Sequence, residues 1–181
     1  GSALLRELAG VGLGAKRVER AAKRLGSELA AMERADVAPE ISRPVAPTLY
    51  AGIDGTGVPM RAQEVAGRSG KQPDGSARTR EVKLCVVWSA EGRDAVGRPV
   101  RDPGSVTYTA AIESAATRDT DAVVSAFSQR ASREGSRRRY EKARRRVVLG
   151  DGAPWIWNLA GEQFPGAIQI VDLFHAKQHL S

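Results

Sequence analysis

Two stretches of the chain carry an apolar run up to a single carboxylate and follow it with glycine. The first is Leu49-Tyr-Ala-Gly-Ile-Asp54, followed by Gly55-Thr56-Gly57. The second is Arg146-Val-Val-Leu-Gly-Asp151, followed by Gly152. Each predicts a buried strand that delivers an acid at its C-terminal tip, with glycines keeping the surroundings open. A bare carboxylate at a strand end is costly without a partner. Two of them on neighbouring strands repel each other, and a divalent cation with oxygen ligands relieves both. Asp172, His175 and His179 form a second group with ligand chemistry, the two histidines four apart on one helical face. No third neutral ligand is near and the glutamate of HExxH is absent. A supporting or nucleic-acid-contacting role beside the two acids is therefore the expectation for Asp172 and His175.

Holding Asp54 and Asp151 side by side requires a sheet. Strands are expected at 48–54, Thr79–Ser89, Ser105–Ile112, 146–150 and Ala167–Val171. Residues 59–78 are polar, basic and glycine-rich and read as a long excursion, mobile or ordered by a ligand. Residues 90–104 read as a turn. Helices are expected over Asp119–Arg133, from Pro154 at a permitted first-turn position, and from Phe174 onward. Three strands joined without helices form an antiparallel meander, and the later strands alternate with helices. This order is the ribonuclease H-like plan: an α/β fold with a mixed five-stranded sheet and flanking helices.

Ahead of this core, residues 1–36 read as a small helical segment. A short helix is expected over Ala3–Ala9 and a glycine break over Gly10–Gly14. A second helix follows over Ala15–Asp36, with Val18, Ala22, Leu25 and Leu29 on one face. Gly26 weakens it. The pattern is helix-turn-helix-like, and its second helix would offer Lys16, Arg17, Arg20, Lys23 and Arg24 to DNA. Residues 37–47, with three prolines, read as a linker, and 48–181 as the main domain.

Composition points the same way. The chain has 181 residues, 41% of them hydrophobic, and 28 Lys+Arg against 21 Asp+Glu, a net charge of +7. That excess suggests a polyanionic partner, most simply nucleic acid. Residues 130–146 hold nine Lys or Arg against Glu134 and Glu141, an excess equal to the charge of the whole chain. They read as a phosphate-binding patch that includes Arg137, Arg138, Arg139, Arg144 and Arg145. A solvated basic helix and loop is the competing reading. The single cysteine, Cys85, excludes an internal disulfide and any thiolate metal cluster. It lies in an apolar run and reads as a small core residue. No apolar run approaches the ~18 residues of a membrane span, so a reducing, cytoplasmic setting is expected.

The runs YAGIDGTGVPMR, GKQPDGSARTREVKL, VVLGDGAPWIWNLA and QFPGAIQIVDLFHAKQHL resemble bacterial insertion-sequence transposases of the ISKra family across nearly all of residues 45–181. LLRELAGVGLGAKRVER is similar to the segment that precedes the core in that family. The resemblance implies a DDE-type transposase that cuts and joins DNA ends with two Mg²⁺ or Mn²⁺ ions, acting on insertion-sequence ends and a target duplex, with a homodimer in view and a bacterial, nucleoid-associated setting. It assigns the first catalytic and metal-binding acid to Asp54 and the second to Asp151. The family's third acid is a Glu on a downstream helix, and no position up to Ser181 matches it, so this stretch alone is expected to be inactive.

Two other readings stay open at this level. Asp54-Gly-Thr-Gly is close to the DxGxT phosphate loop of actin- and sugar-kinase-like phosphotransferases. That architecture needs two such domains and has no place for the arginine-rich insert. A transposase-derived protein that binds DNA without chemistry is the other.

Overall fold

A computed structural model describes residues 6, 7, 10, 12, 14–35, 44–112, 115 and 125–180. The chain forms two compact units, Gly1–Val37 and Ala38–Ser181.

In the first unit, helix α1 spans Ala15–Ala35 and runs through Gly26 without a break. Most of the cost of that glycine is met locally, by ion pairs at helical spacing on its flanks. Glu19 pairs with Lys23 and Arg24 with Glu28, each at 2.8 Å. Leu25, Leu29 and Met32 are exposed along one side. The expected first helix over Ala3–Ala9 falls largely outside the described residues, as does most of the 37–47 linker.

The second unit is α/β and is built on a mixed five-stranded sheet. Its strands are β1 (Thr48–Pro59), β2 (Thr79–Trp88), β5 (Thr107–Ala111), β6 (Arg145–Gly150) and β7 (Ile168–Val171), in the spatial order β5-β2-β1-β6-β7. The β1–β2 and β2–β5 pairs are antiparallel, and β1–β6 and β6–β7 are parallel. The three antiparallel strands follow one another without an intervening crossover helix. The two parallel additions each follow a helix, as parallel connections require.

Alternation along β1 shows which face is buried. Leu49, Ala51 and Ile53 are at most 2% exposed and join Cys85, Val87 and Val148 from the neighbouring strands in one core. Helices α3 (Ala126–Arg137) and α4 (Pro154–Gln163) cover that face. α3 packs on β2 and β5, α4 packs on β6, and the two touch each other. Phe127, Ala131, Ile156 and Leu159 fill the gap. Each large apolar side chain buried here contributes about 1.5–3 kcal/mol. Close approach at this layer needs glycine: a Cβ on Gly135 would lie 2.8 Å from the Phe164 ring. The even residues of β1 point to the opposite face, where Tyr50 stacks on Trp88 at 5.5 Å and Arg101 lies over the Trp88 ring at 4.8 Å. Ile168, Ile170 and Tyr108 are exposed. Cys85 is fully buried, and desolvation, with the nearby Glu134 carboxylate adding to it, pushes its thiol far up. It is a core residue with no thiolate chemistry.

Several boundaries differ from those expected. β1 does not end at Asp54 but continues through Gly55-Thr56-Gly57 to Pro59, paired with Thr79–Lys83 of β2. Glycine and threonine looked like a break, yet the antiparallel arm of β2 supplies their ladder. The segment expected as a bare excursion contains a short helix, α2 (Ala62–Val65), and folds back on itself through a Ser69–Ser76 bridge. The 90–104 segment expected as a turn contains a small hairpin of β3 (Gly92–Arg93) and β4 (Pro99–Val100). Asp102 pins it by accepting from Ser89 Oγ and from the Gly92 and Glu91 amides. Those bonds, led by the Ser89 hydroxyl, hold its carboxyl below the usual range. α3 begins at Ala126 rather than near Asp119, behind an N-cap in which the Ser125 hydroxyl accepts from the Ser128 amide. Residues 116–124 fall outside the described set. No helix among the described residues is long and apolar enough to cross a membrane.

Candidate acidic site at the C-terminal edge of the parallel strands

Asp54 and Asp151 both lie just beyond the paired register of β1 and β6. The last β1–β6 pair is Gly52 opposite Leu149. Two residues further along each chain stand Asp54 and Asp151. Adjacent strands lie about 5 Å apart, so continuing this register sets the two aspartates beside each other at the end of the parallel pairing. β1 outruns β6 at this point, which leaves Asp54 exposed and Asp151 half-buried. Alternation places both on the face opposite the helices, since Ile53 and Val148 face the core.

Each carboxylate is oriented locally. Asp54 Oδ1 accepts from the Gly55 amide at 2.7 Å. Asp151 Oδ1 accepts from the Ala153 amide at 2.8 Å. This second bond closes an Asx turn across Gly152, whose φ of +100° is a conformation that glycine tolerates and L side chains rarely adopt. Pro154 then starts α4. Gly150 is required for a different reason: a Cβ there would lie 2.6 Å from Ile156 Cγ2, in the first turn of α4. We expect Gly150→Ala to cost about 1–3 kcal/mol by overpacking and to displace Asp151 with the turn. Thermal unfolding and an amide-proton comparison of residues 150–156 would check this, and an unchanged melting temperature would contradict it.

Asp172 continues the row. Gly150 pairs with Val171, and the Asp172 amide donates to Gly150 O at 2.8 Å, so Asp172 follows Val171 just as Asp151 follows Gly150. It lies two strands from Asp54, about 10 Å by strand spacing. Its Oδ1 accepts from the Phe174 amide at 2.7 Å, at the start of α5 (Leu173–Leu180). His175 Nδ1 is 3.7 Å from the same oxygen, outside hydrogen-bond range and attractive only when the ring is protonated. Asp151 and His175 line one shallow hollow with Gly152, Ala153, Val171 and Ala176. The side chain of His179 lies outside the described residues. No three His, Cys, Asp or Glu among the described residues converge tightly enough to hold a metal ion by themselves. An ion here would take Asp54 and Asp151 plus oxygens from water or phosphate, which is how Mg²⁺ is usually bound.

The arginines of segment 130–146 are not all exposed. Arg138 Nη1 donates to Val87 O at 3.3 Å, to Ser105 O, and to Thr107 Oγ1 at 3.2 Å, stapling the end of α3 to β2 and β5. Arg130 is 5% exposed and donates to Thr109 Oγ1. Arg137 stands 3.6 Å from Glu134, itself 2% exposed and hydrogen-bonded by Thr107. The sequence did carry a signal for this. Arg130, Glu134 and Arg138 recur every four residues beside Phe127 and Ala131, on the stripe that faces the sheet. Arg139 is half-buried at a left-handed φ of 52°, and Arg144 and Arg145 are exposed. In the first unit, Lys16, Arg17 and Arg20 are exposed on α1. No family model, curated protein or solved structure matches this chain.

Proposed function

We propose that this chain is the catalytic core of a DDE-type DNA transposase with a ribonuclease H-like fold, Asp54 and Asp151 being two of its acids. The observation that carries the reading is the β1–β6 register, whose last pair, Gly52 opposite Leu149, stands two residues before both aspartates, in a mixed sheet of the order β5-β2-β1-β6-β7. The resemblance of the runs that hold these two acids to ISKra-family transposases agrees with it. Divalent ions, when bound, supply a Lewis acid for the scissile phosphate and lower the pKa of the attacking hydroxyl or water. Asp54 and Asp151 would hold them. The Gly55 amide and the Asx turn at Ala153 fix each carboxylate in place, and fixed geometry is what such chemistry needs. Exposed Lys16, Arg17, Arg20, Arg144 and Arg145 give the DNA partner its phosphate contacts.

The phosphotransferase alternative is weaker on one observation. A phosphate loop turns its amides toward the anion, whereas Gly55-Thr56-Gly57 lies in paired, extended strand. Binding without chemistry remains the reading to beat, and Mn²⁺ titration followed by electron paramagnetic resonance separates the two. Weak binding to the chain, lost in Asp54→Ala and in Asp151→Ala alike, is the expected result. Binding that survives both substitutions would sink the site.

A further inference from the structure

Asp151 and the exposed residues Lys142, Arg144 and Arg145 sit at opposite ends of β6. Arg145 opens β6 opposite Thr48, and Asp151 follows its last residue. Six residues of strand separate them, about 20 Å at ~3.3 Å per residue. One phosphate cannot be touched from both ends. Arg144, Arg145 and Lys142 are exposed at the Arg145 end, and Arg101 lies over Trp88 beside them. Two nearby carboxylates are engaged, Glu91 accepting from the Thr48 amide at 3.0 Å and Asp102 held in the hairpin bonds, while Glu141 is exposed beside Lys142. Arg130 and Arg138 are turned inward and do not add to the charge at that end.

We infer that Lys142, Arg144 and Arg145 form a separate nucleic-acid grip. It holds a run of phosphates distinct from the one at Asp54 and Asp151, at the opposite end of β6. This rests on the DNA reading above and assigns the contact to three residues of the basic segment rather than to all of it. The phosphates come from the same duplex, at least about six base pairs away at 3.4 Å per step, or from a second DNA segment.

The test uses Cys85 being fully buried, so an added surface cysteine is the site that takes a maleimide photocrosslinker. Arg144→Cys and Thr56→Cys are labelled in turn and irradiated with two differently tagged duplexes. Crosslinks from position 144 are expected six or more base pairs from those made at position 56, or on the other duplex. The first outcome means one duplex spans both ends, and the second means two segments. Crosslinks from both positions on the same nucleotides, or from position 56 alone, would overturn the proposal while leaving the DNA reading standing. If neither position crosslinks and neither duplex binds, the DNA reading itself fails. In parallel, Arg144→Glu with Arg145→Glu should lower the log–log salt slope by roughly two, at about 0.9 per phosphate, with the melting temperature unchanged. An unchanged slope argues against the grip.

Discussion

Replacing Asp151 by Asn in the full-length protein should reduce Mg²⁺-dependent cleavage of element-end DNA by about 10²-fold or more, and Asp54→Asn should do the same. Asn keeps the shape and still accepts the Ala153 or Gly55 amide, so the turn and strand geometry survive. What it removes is the negative charge that a divalent ion requires. Carboxylate oxygens are the hard ligands Mg²⁺ prefers, and an amide oxygen is a much poorer one. A rate loss at unchanged DNA affinity therefore separates metal binding from substrate binding, and Mn²⁺ should relieve part of it if the lost ligand is the cause. Asp172→Asn provides the contrast. Asp172 lies two strands from Asp54 and is turned toward the start of α5, so its removal should have a smaller effect. If either Asp54→Asn or Asp151→Asn cleaves at the parent rate, the assignment is wrong. If Asp172→Asn is as damaging as the other two, the third acid lies within this sequence.

The parts of this fold that were readable in the sequence share one property: they follow from local alternation. Leu49, Ala51 and Ile53 alternate into the core, and a buried strand reaching Asp54 followed directly, as did the end of β6 just before Asp151. Gly150-Asp151-Gly152 marked a strand-to-helix corner because only glycine fits both the Ile156 contact and the positive φ. What was not readable depends on partners far along the chain. Whether Gly55-Thr56-Gly57 ends β1 or extends it is decided by Thr79–Lys83 across the ladder. The row Asp54, Asp151, Asp172 is a matter of register between strands nearly a hundred residues apart. The placement of the individual arginines in 130–146 was least legible, because charge counting treats every arginine as solvated. Arg138 and Arg130 instead spend their donors on β2 and β5.

That inward-turned arginine carries the largest stability prediction. Arg138→Ala should destabilise the second unit by about 2–4 kcal/mol, because it strips a shared donor from the Val87 and Ser105 carbonyls and from Thr107 Oγ1. It also thins the positive field around buried Glu134, which keeps Arg137 at 3.6 Å and the Thr107 hydroxyl as partners. Removing a charged donor from part-buried acceptors costs more than losing a surface pair. For a chain of this size each kcal/mol moves the melting temperature by about 2–4 °C, so a fall of roughly 4–16 °C is expected. Arg144→Ala and Arg145→Ala, both exposed, should each stay within about 0.5 kcal/mol. The two classes of arginine then separate on two axes. Arg138→Ala lowers melting temperature and affects DNA affinity only through folding, whereas Arg144→Ala lowers affinity and leaves melting alone. Thermal unfolding beside fluorescence anisotropy on one duplex measures both. If Arg138→Ala melts with the parent and loses DNA affinity, its guanidinium faces the nucleic acid, and the staple between α3 and the sheet is not what holds that edge together.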